Sequence, residues 1–167
     1  MNPKEFLQPL CGKSLTDLQV VGVVCPTHQG HHFTPFFEQV FWVLCSGLIE
    51  LSTFEQGESL RLRWINAILP ACNHDPEAPL ATSSIAPVIL RDVHADSPIQ
   101  SIKVFNARIE SDGLHCEALQ LLLQNRQVLF FDPTYTFGIR IGGSEQEGIW
   151  RENRFHLGAE NPLVVGL

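Results

Sequence analysis

Between residues 98 and 143 the hydrophobic and polar positions read as consecutive β-strands broken by short turns. Residues 99–109 are rich in Ile, Val and Phe, 114–123 and 128–131 are apolar, and Phe137, Ile139 and Ile141 alternate with Gly138 and Arg140. The breaks carry turn chemistry: Ser111-Asp112-Gly113, with Gly113 free to take positive φ, then 124–127, then Asp132-Pro133-Thr134. Upstream, 48–54 and 58–65 predict a hairpin about Glu55-Gln56-Gly57. Its second strand alternates, with Leu60, Leu62 and Trp64 inward and Ser59, Arg61 and Arg63 outward. Residues 20–25 predict a buried strand by their β-branched content. Residues 36–45 are apolar on both faces, which fits a central strand or a buried helix; the aromatics and the following Ser46-Gly47 turn favour the strand. The pattern predicts a mainly β fold, an antiparallel meander forming a curved sheet or sandwich. A helix at 36–45 would make it α+β instead.

A short N-terminal helix is expected over 2–10, with Asn2 as N-cap, Pro3 first in the helix, Glu5 in the first turn and Phe6, Leu7 and Leu10 as its apolar stripe. A second helical turn at 14–18 fits the pattern. Residues 26–35 read as a loop. Residues 66–87 have no clear period and hold Pro70, Pro76, Pro79 and Pro87; irregular stretches of this length in a compact domain are often functional. Further on, 88–90 reads as a short strand, 92–96 and 144–148 as acidic loops, 149–151 as a short strand or turn, and 155–167 as a weakly patterned tail.

Length and composition narrow the class. The 167 residues fit a single domain spanning 1–167, and at 44% hydrophobic the chain can bury a full core. Only 17% of residues are charged, against the usual ~25%, so the aromatics either fill the core or leave some apolar surface for a partner. A net charge of −7 argues against nucleic acid or an anionic membrane as partner and suits a cationic protein. No window reaches 18 apolar residues, so nothing is expected to span a membrane. Five scattered cysteines, an odd number, with no signal-peptide pattern at Met1, point to the reducing cytoplasm and to free, mostly buried thiols.

Among the candidate chemistries, Cys25-Pro26-Thr27-His28-Gln29-Gly30-His31-His32 is the sharpest cluster. A thiolate and three imidazoles would suit a metal- or thiol-dependent enzyme, but the spacing lacks the second CxxC or HxxxH half of a zinc site, and His94 or Cys72 would have to complete it. Cys72-Asn73-His74-Asp75 holds the residue types of a nucleophilic triad, yet sequence neighbours seldom assemble one. Glu110, Asp112 and Glu117 flank one turn and read as solvated carboxylates. Gly142-Gly143 lacks the lysine of a phosphate loop. The residues therefore assign no catalytic group, no metal and no cofactor. A curved sheet with Arg61 and Arg63 at its mouth would instead suit a small-ligand binder. The acidic loops favour protein binding: Asp75, Glu77, Asp92, Asp96, Glu145 and Glu147 would form a negative rim, with Trp150 as aromatic anchor.

Two stretches carry a family likeness. The aromatic strand Phe36-Phe37-Glu38-Gln39-Val40-Phe41-Trp42 precedes the hairpins, and Val128-Leu129-Phe130-Phe131-Asp132-Pro133-Thr134-Tyr135-Thr136-Phe137-Gly138-Ile139 joins a strand, a D-P turn and an apolar-glycine strand entry. In a short, acidic, single-domain chain these resemble the small immunity proteins of bacterial polymorphic-toxin and contact-dependent growth inhibition systems. The resemblance is one of texture over about half the chain. It implies a stoichiometric inhibitor that occludes the active site of a cognate, cationic toxin, and no enzyme activity of its own; it carries no residue role position by position.

Overall fold

The computed structural model describes residues 1–69, 79–92, 97–154 and 161–167. The fold is mainly β, a curled mixed sheet forming a half-barrel with a short N-terminal helix. Among the described residues the elements are α1 (Pro3–Leu7), β1 (Leu15–Thr27), β2 (Gly30–Leu44), β3 (Gly47–Phe54), β4 (Ser59–Ile65), β5 (Leu80–Ser84), α2 (Ala86–Ile89), β6 (Ile99–Phe105), β7 (Arg108–Glu110), β8 (Gly113–Cys116), β9 (Ala118–Leu123), β10 (Val128–Tyr135), β11 (Gly138–Gly142), α3 (Ser144–Asn153) and β12 (Pro162–Gly166). They form two antiparallel stretches of sheet. One runs β5-β1-β2-β3-β4-β8-β7 and the other β12-β6-β9-β10-β11.

Two features join the stretches. The first is a corner in a single long hairpin. Residues 99–109, expected as one strand, break at Asn106, whose φ is +51, so β6 pairs with β9 in one stretch while β7 pairs with β8 in the other. The returning arm turns at Glu117 between β8 and β9. Asn106 Nδ2 donates to Glu117 Oε2 at 2.8 Å, Asn161 N donates to Asn106 Oδ1 at 2.9 Å, and Arg154 lies 3.1 Å from Glu117 Oε1. Asparagine tolerates the left-handed region because its side chain bonds locally. The second joint is a lone parallel bridge between Gly138 at the start of β11 and Phe37 in β2. Gly138 sits at φ +107, and a Cβ there would land on the carbonyl of Phe37.

Period-2 alternation explains the core. Val40, Trp42 and Leu44 of β2, Ile49 and Leu51 of β3, and Leu60 and Leu62 of β4 point inward and meet Ile102, Val104, Leu119, Leu121 and Phe131 from the other stretch. Phe6, Leu7 and Leu10 from the N-terminal helix complete this core, and Asn2 and Glu5 form a reciprocal capping box as the sequence leads one to expect. A second, smaller cluster of Phe105, Ala118, Phe130 and Trp150 lies under α3.

Several expectations are corrected. Residues 14–18 belong to β1 rather than a helical turn, and 26–35 form the tip of the β1–β2 hairpin rather than an open loop. Residues 88–90 lie in and after α2, because Ala86-Pro87 opens a helical turn. Residues 144–151 form α3 rather than a loop and a strand, and the tail contains β12. Trp64, expected inward, is 42% exposed near the end of β4. Of the described cysteines only Cys116 is fully buried; Cys25 and Cys45 are exposed. No helix among the described residues is long and apolar enough to cross a membrane.

The Gly138 bridge makes a direct prediction. Gly138→Ala forces a side chain into the left-handed region and onto backbone, and is expected to destabilise the protein by about 2–4 kcal/mol in urea unfolding. Gly148→Ala, with open space around its position, is expected to leave stability unchanged or slightly raised.

Candidate functional site

Charge concentrates on the outer face of the first stretch, opposite the apolar core. Cross-strand register aligns Glu50 with Arg63, Ser52 with Arg61, Arg61 with His115, and His115 with Arg108. Glu50 is buried, and Arg63 donates to it through Nε at 3.0 Å and a terminal nitrogen at 2.8 Å. Arg61 lies 3.6 Å from the same carboxylate, donates to Ser52 Oγ at 3.3 Å and to Asp112 Oδ2 at 3.0 Å. His115, fully buried, has Nε2 2.8 Å from Asp112 Oδ1. Arg108 donates to Glu110 at 2.6 Å and to Glu55 at 3.2 Å. The His115 imidazole, then the Arg61 guanidinium, hold the Asp112 carboxyl down to about 2.

This network ties four strands together. Among the described residues, Glu110, Asp112 and His115 are the set whose ligand atoms lie within 4.8 Å of one another, an oxygen-rich donor set that a hard cation accepts. Arg61 and Arg108 already neutralise both carboxylates, so a cation there would displace two guanidinium groups. The remaining ring nitrogen of His115 has no hydrogen-bond partner, and the ring packs edge-on against Phe54 at 4.7 Å with no face open to a substrate. The arrangement is a charge clamp. It also corrects the picture of Arg61 and Arg63 at the mouth of a ligand cavity, since both lie on the outer face, held by Glu50.

The Cys25–His32 segment forms the exposed tip of the β1–β2 hairpin. Cys25 faces His32 and Pro26 faces His31 across the ladder, with His28 in the turn. His28, His31 and His32 line one open concavity of about 590 Å³ at this tip, but among the described residues no three ligand atoms of the segment come within 4.8 Å of one another.

A more apolar concavity lies between α2 and β11. Beyond Gly138, β11 pairs only with β10, so its other side borders a groove whose opposite bank is α2. One end is a cavity of about 240 Å³ walled by Phe37, Ile89, Phe137, Ile139 and Ile141. The other end, about 330 Å³, is bordered by Val88, Arg91, Gln127, Gly143 and Glu145. Ile89 and Ile141 belong to both, which makes the groove continuous. Val88 on one bank is 86% exposed and Phe137 on the other is 71% exposed, large apolar surface left in water.

The sequence-derived binding residues divide around this groove. Glu145 borders it; its own backbone amide and that of Gly143 hold its carboxyl below the usual range. Asp92 is exposed and directly follows Arg91, another groove residue. Glu147 does not face it: Lys103 and Arg151 each donate to it at 2.7 Å. Burial pulls the Glu147 carboxyl up, but these two bonds outweigh it and the net direction is down. Trp150, expected as a surface anchor, is fully buried against Phe105 at 4.7 Å, because α3 places Gln146 and Trp150 four residues apart on its inner side. Asp75, Glu77 and Asp96, with Cys72, His74 and His94, lie outside the described residues. Val88 and Phe137 were missed by the sequence reading, although the step from the D-P turn to Phe137-Gly138 signals an aromatic at a hairpin tip.

No protein-family model, curated protein or solved structure matches this chain.

Two measurements test the clamp. Glu50→Ala leaves Arg63 without its carboxylate partner beside Arg61, which keeps Asp112, and is expected to cost about 1–3 kcal/mol of stability, part of it recovered when Arg63→Ala is added, in a double-mutant cycle. Asp112 has a depressed carboxyl in the folded state, so its contribution is complete above its unfolded value near 4 and is lost as pH falls towards about 2. Thermal midpoints of the native protein and Asp112→Asn should therefore differ at pH 6 and converge as pH approaches ~2.

Proposed function

We propose that this protein is a protein-binding module, an immunity protein that neutralises a cognate cationic toxin by occluding its active site, and that the α2–β11 groove is its docking face. The reading is carried by the exposure of Val88 and Phe137 on facing banks of one groove. Apolar side chains of this size supply the area an interface core needs, and covering them stabilises a complex by about 25 cal/mol per Å² of apolar surface removed from water. Glu145 lines the groove and Asp92 follows its lining residue Arg91, beside the cations Arg91 and Arg140, while the net charge of −7 steers a basic partner towards the molecule as a whole. Free Cys25 and Cys45 on the surface suit work in the reducing cytoplasm.

The product of the adjacent gene is the partner to test. The expected result is a stoichiometric complex that blocks toxin activity. Val88→Asp should weaken it at any salt concentration by at least about tenfold, as loss of a central apolar contact does. Asp92→Lys with Glu145→Lys should weaken it at low salt, with the difference shrinking at ~0.5 M salt. A complex whose affinity is unchanged by all three substitutions would remove the groove as the docking face.

A further inference from the structure

We propose that the β11 end of the groove is also a binding site for a small apolar monocarboxylate, recognised by Arg140. The cavity of about 240 Å³ is walled almost wholly by aromatic and aliphatic side chains, and its one charged lining residue is Arg140. That volume is at the small end of ligand sites and suits a short acyl chain or a single ring rather than a nucleotide or a lipid.

Arg140 makes no ion pair within 4 Å among the described residues, although its charge is felt at the Glu145 carboxyl. Its neighbour across the ladder is Asp132. Asp132 is unavailable to it: Oδ1 accepts from Thr134 N at 2.8 Å and Thr134 Oγ1 at 2.6 Å, and Oδ2 accepts from Gln146 Nε2 at 2.9 Å. Arg61, Arg63, Lys103, Arg108, Arg151 and Arg154 all have carboxylate partners, whereas Arg140 forms no ion pair among the described residues. It stacks instead over the Tyr135 ring, with Cζ 5.6 Å from the centroid. Tyr135 in turn packs edge-on against Phe137 at 5.6 Å. The guanidinium is thus held at the rim of an apolar cavity with its donors uncommitted. A planar fork of N–H donors matches a carboxylate, and a single cation on a chain of net charge −7 suits a monoanion better than a phosphate. The ligand's apolar end would cover Phe137, the most exposed apolar side chain of the site.

Octanoate is the probe, with octan-1-ol and octylammonium as controls of matched length. Calorimetry is expected to give saturable one-to-one octanoate binding at about 1 mM or tighter, and amide shift changes in NMR are expected to cluster at Phe37, Ile89 and residues 135–141. Arg140→Gln should weaken octanoate binding roughly tenfold and leave octanol unchanged, while Phe137→Ala should weaken both. Both side chains are exposed, and a native thermal midpoint for each variant establishes that the fold is kept. No saturation below ~10 mM, shift changes away from these residues, or equal octanoate affinity in Arg140→Gln would each overturn the assignment. None of these readouts involves a protein partner, so they stand or fall separately from the docking face.

Discussion

The architecture depends on one hairpin serving two stretches of sheet. A long strand pair cannot bend sharply and keep every ladder bond, so the bend is confined to two points, Asn106 on one arm and Glu117 on the other. The side chains at these points bond to each other and to the segment entering β12, which lies beside β6 at the outer edge. Because the bend is fixed, Leu114 and Cys116 before it and Leu119 and Leu121 after it all face one core. Without it, β8 would continue in the plane of β9, and the inward faces of the two stretches would no longer oppose each other.

The charge distribution follows from the same geometry. Most of the cations are consumed in holding the structure: the Glu50 network fastens β3, β4, β8 and β7 from outside, and Glu147 fastens α3 to β6 through Lys103. A chain with few charges that spends them internally leaves apolar surface elsewhere with little polar cover. The groove beside α2 is where that surface gathers. The half-barrel interior is filled by its own side chains, so the apolar groove lies at the seam where the two stretches nearly fail to meet.

Period-2 alternation made much of the sheet legible in the sequence. The β3–β4 hairpin, the strand character of β2, the capped N-terminal helix and the turn at Gly113 all follow from local chemistry that the tertiary structure leaves in force. The corner was not legible, because residues 99–109 have continuous β propensity and only Asn106 hints at a break. The helix α3 was misread because Gly148 sits in its middle and only Gln146 and Trp150 are buried; the Glu147–Arg151 pair at four-residue spacing was the available clue. Burial of Trp150 follows from that helix, which is why an aromatic between acidic residues looked like a surface anchor. Glu50 passed as one polar residue in an apolar strand, although the hairpin about Glu55-Gln56-Gly57 already sets it across from the outward-facing Arg63. The groove is a property of three distant segments and has no local signature.

The single bridge between Phe37 and Gly138 also shapes the order in which this chain folds. The hairpins β3–β4 and β9–β10, and the β1–β2 pair, each form from residues close in sequence, so their closure entropy is small. The Phe37–Gly138 contact brings together positions about a hundred residues apart, and the β12–β6 pairing also spans a long loop. Assembly therefore runs from preformed hairpins to a late sealing step, with the slow rate expected of non-local β topology. Until that step the edge of β11 and the flank of β2 remain open together, and for that interval the nascent chain is most exposed to mispairing with another strand.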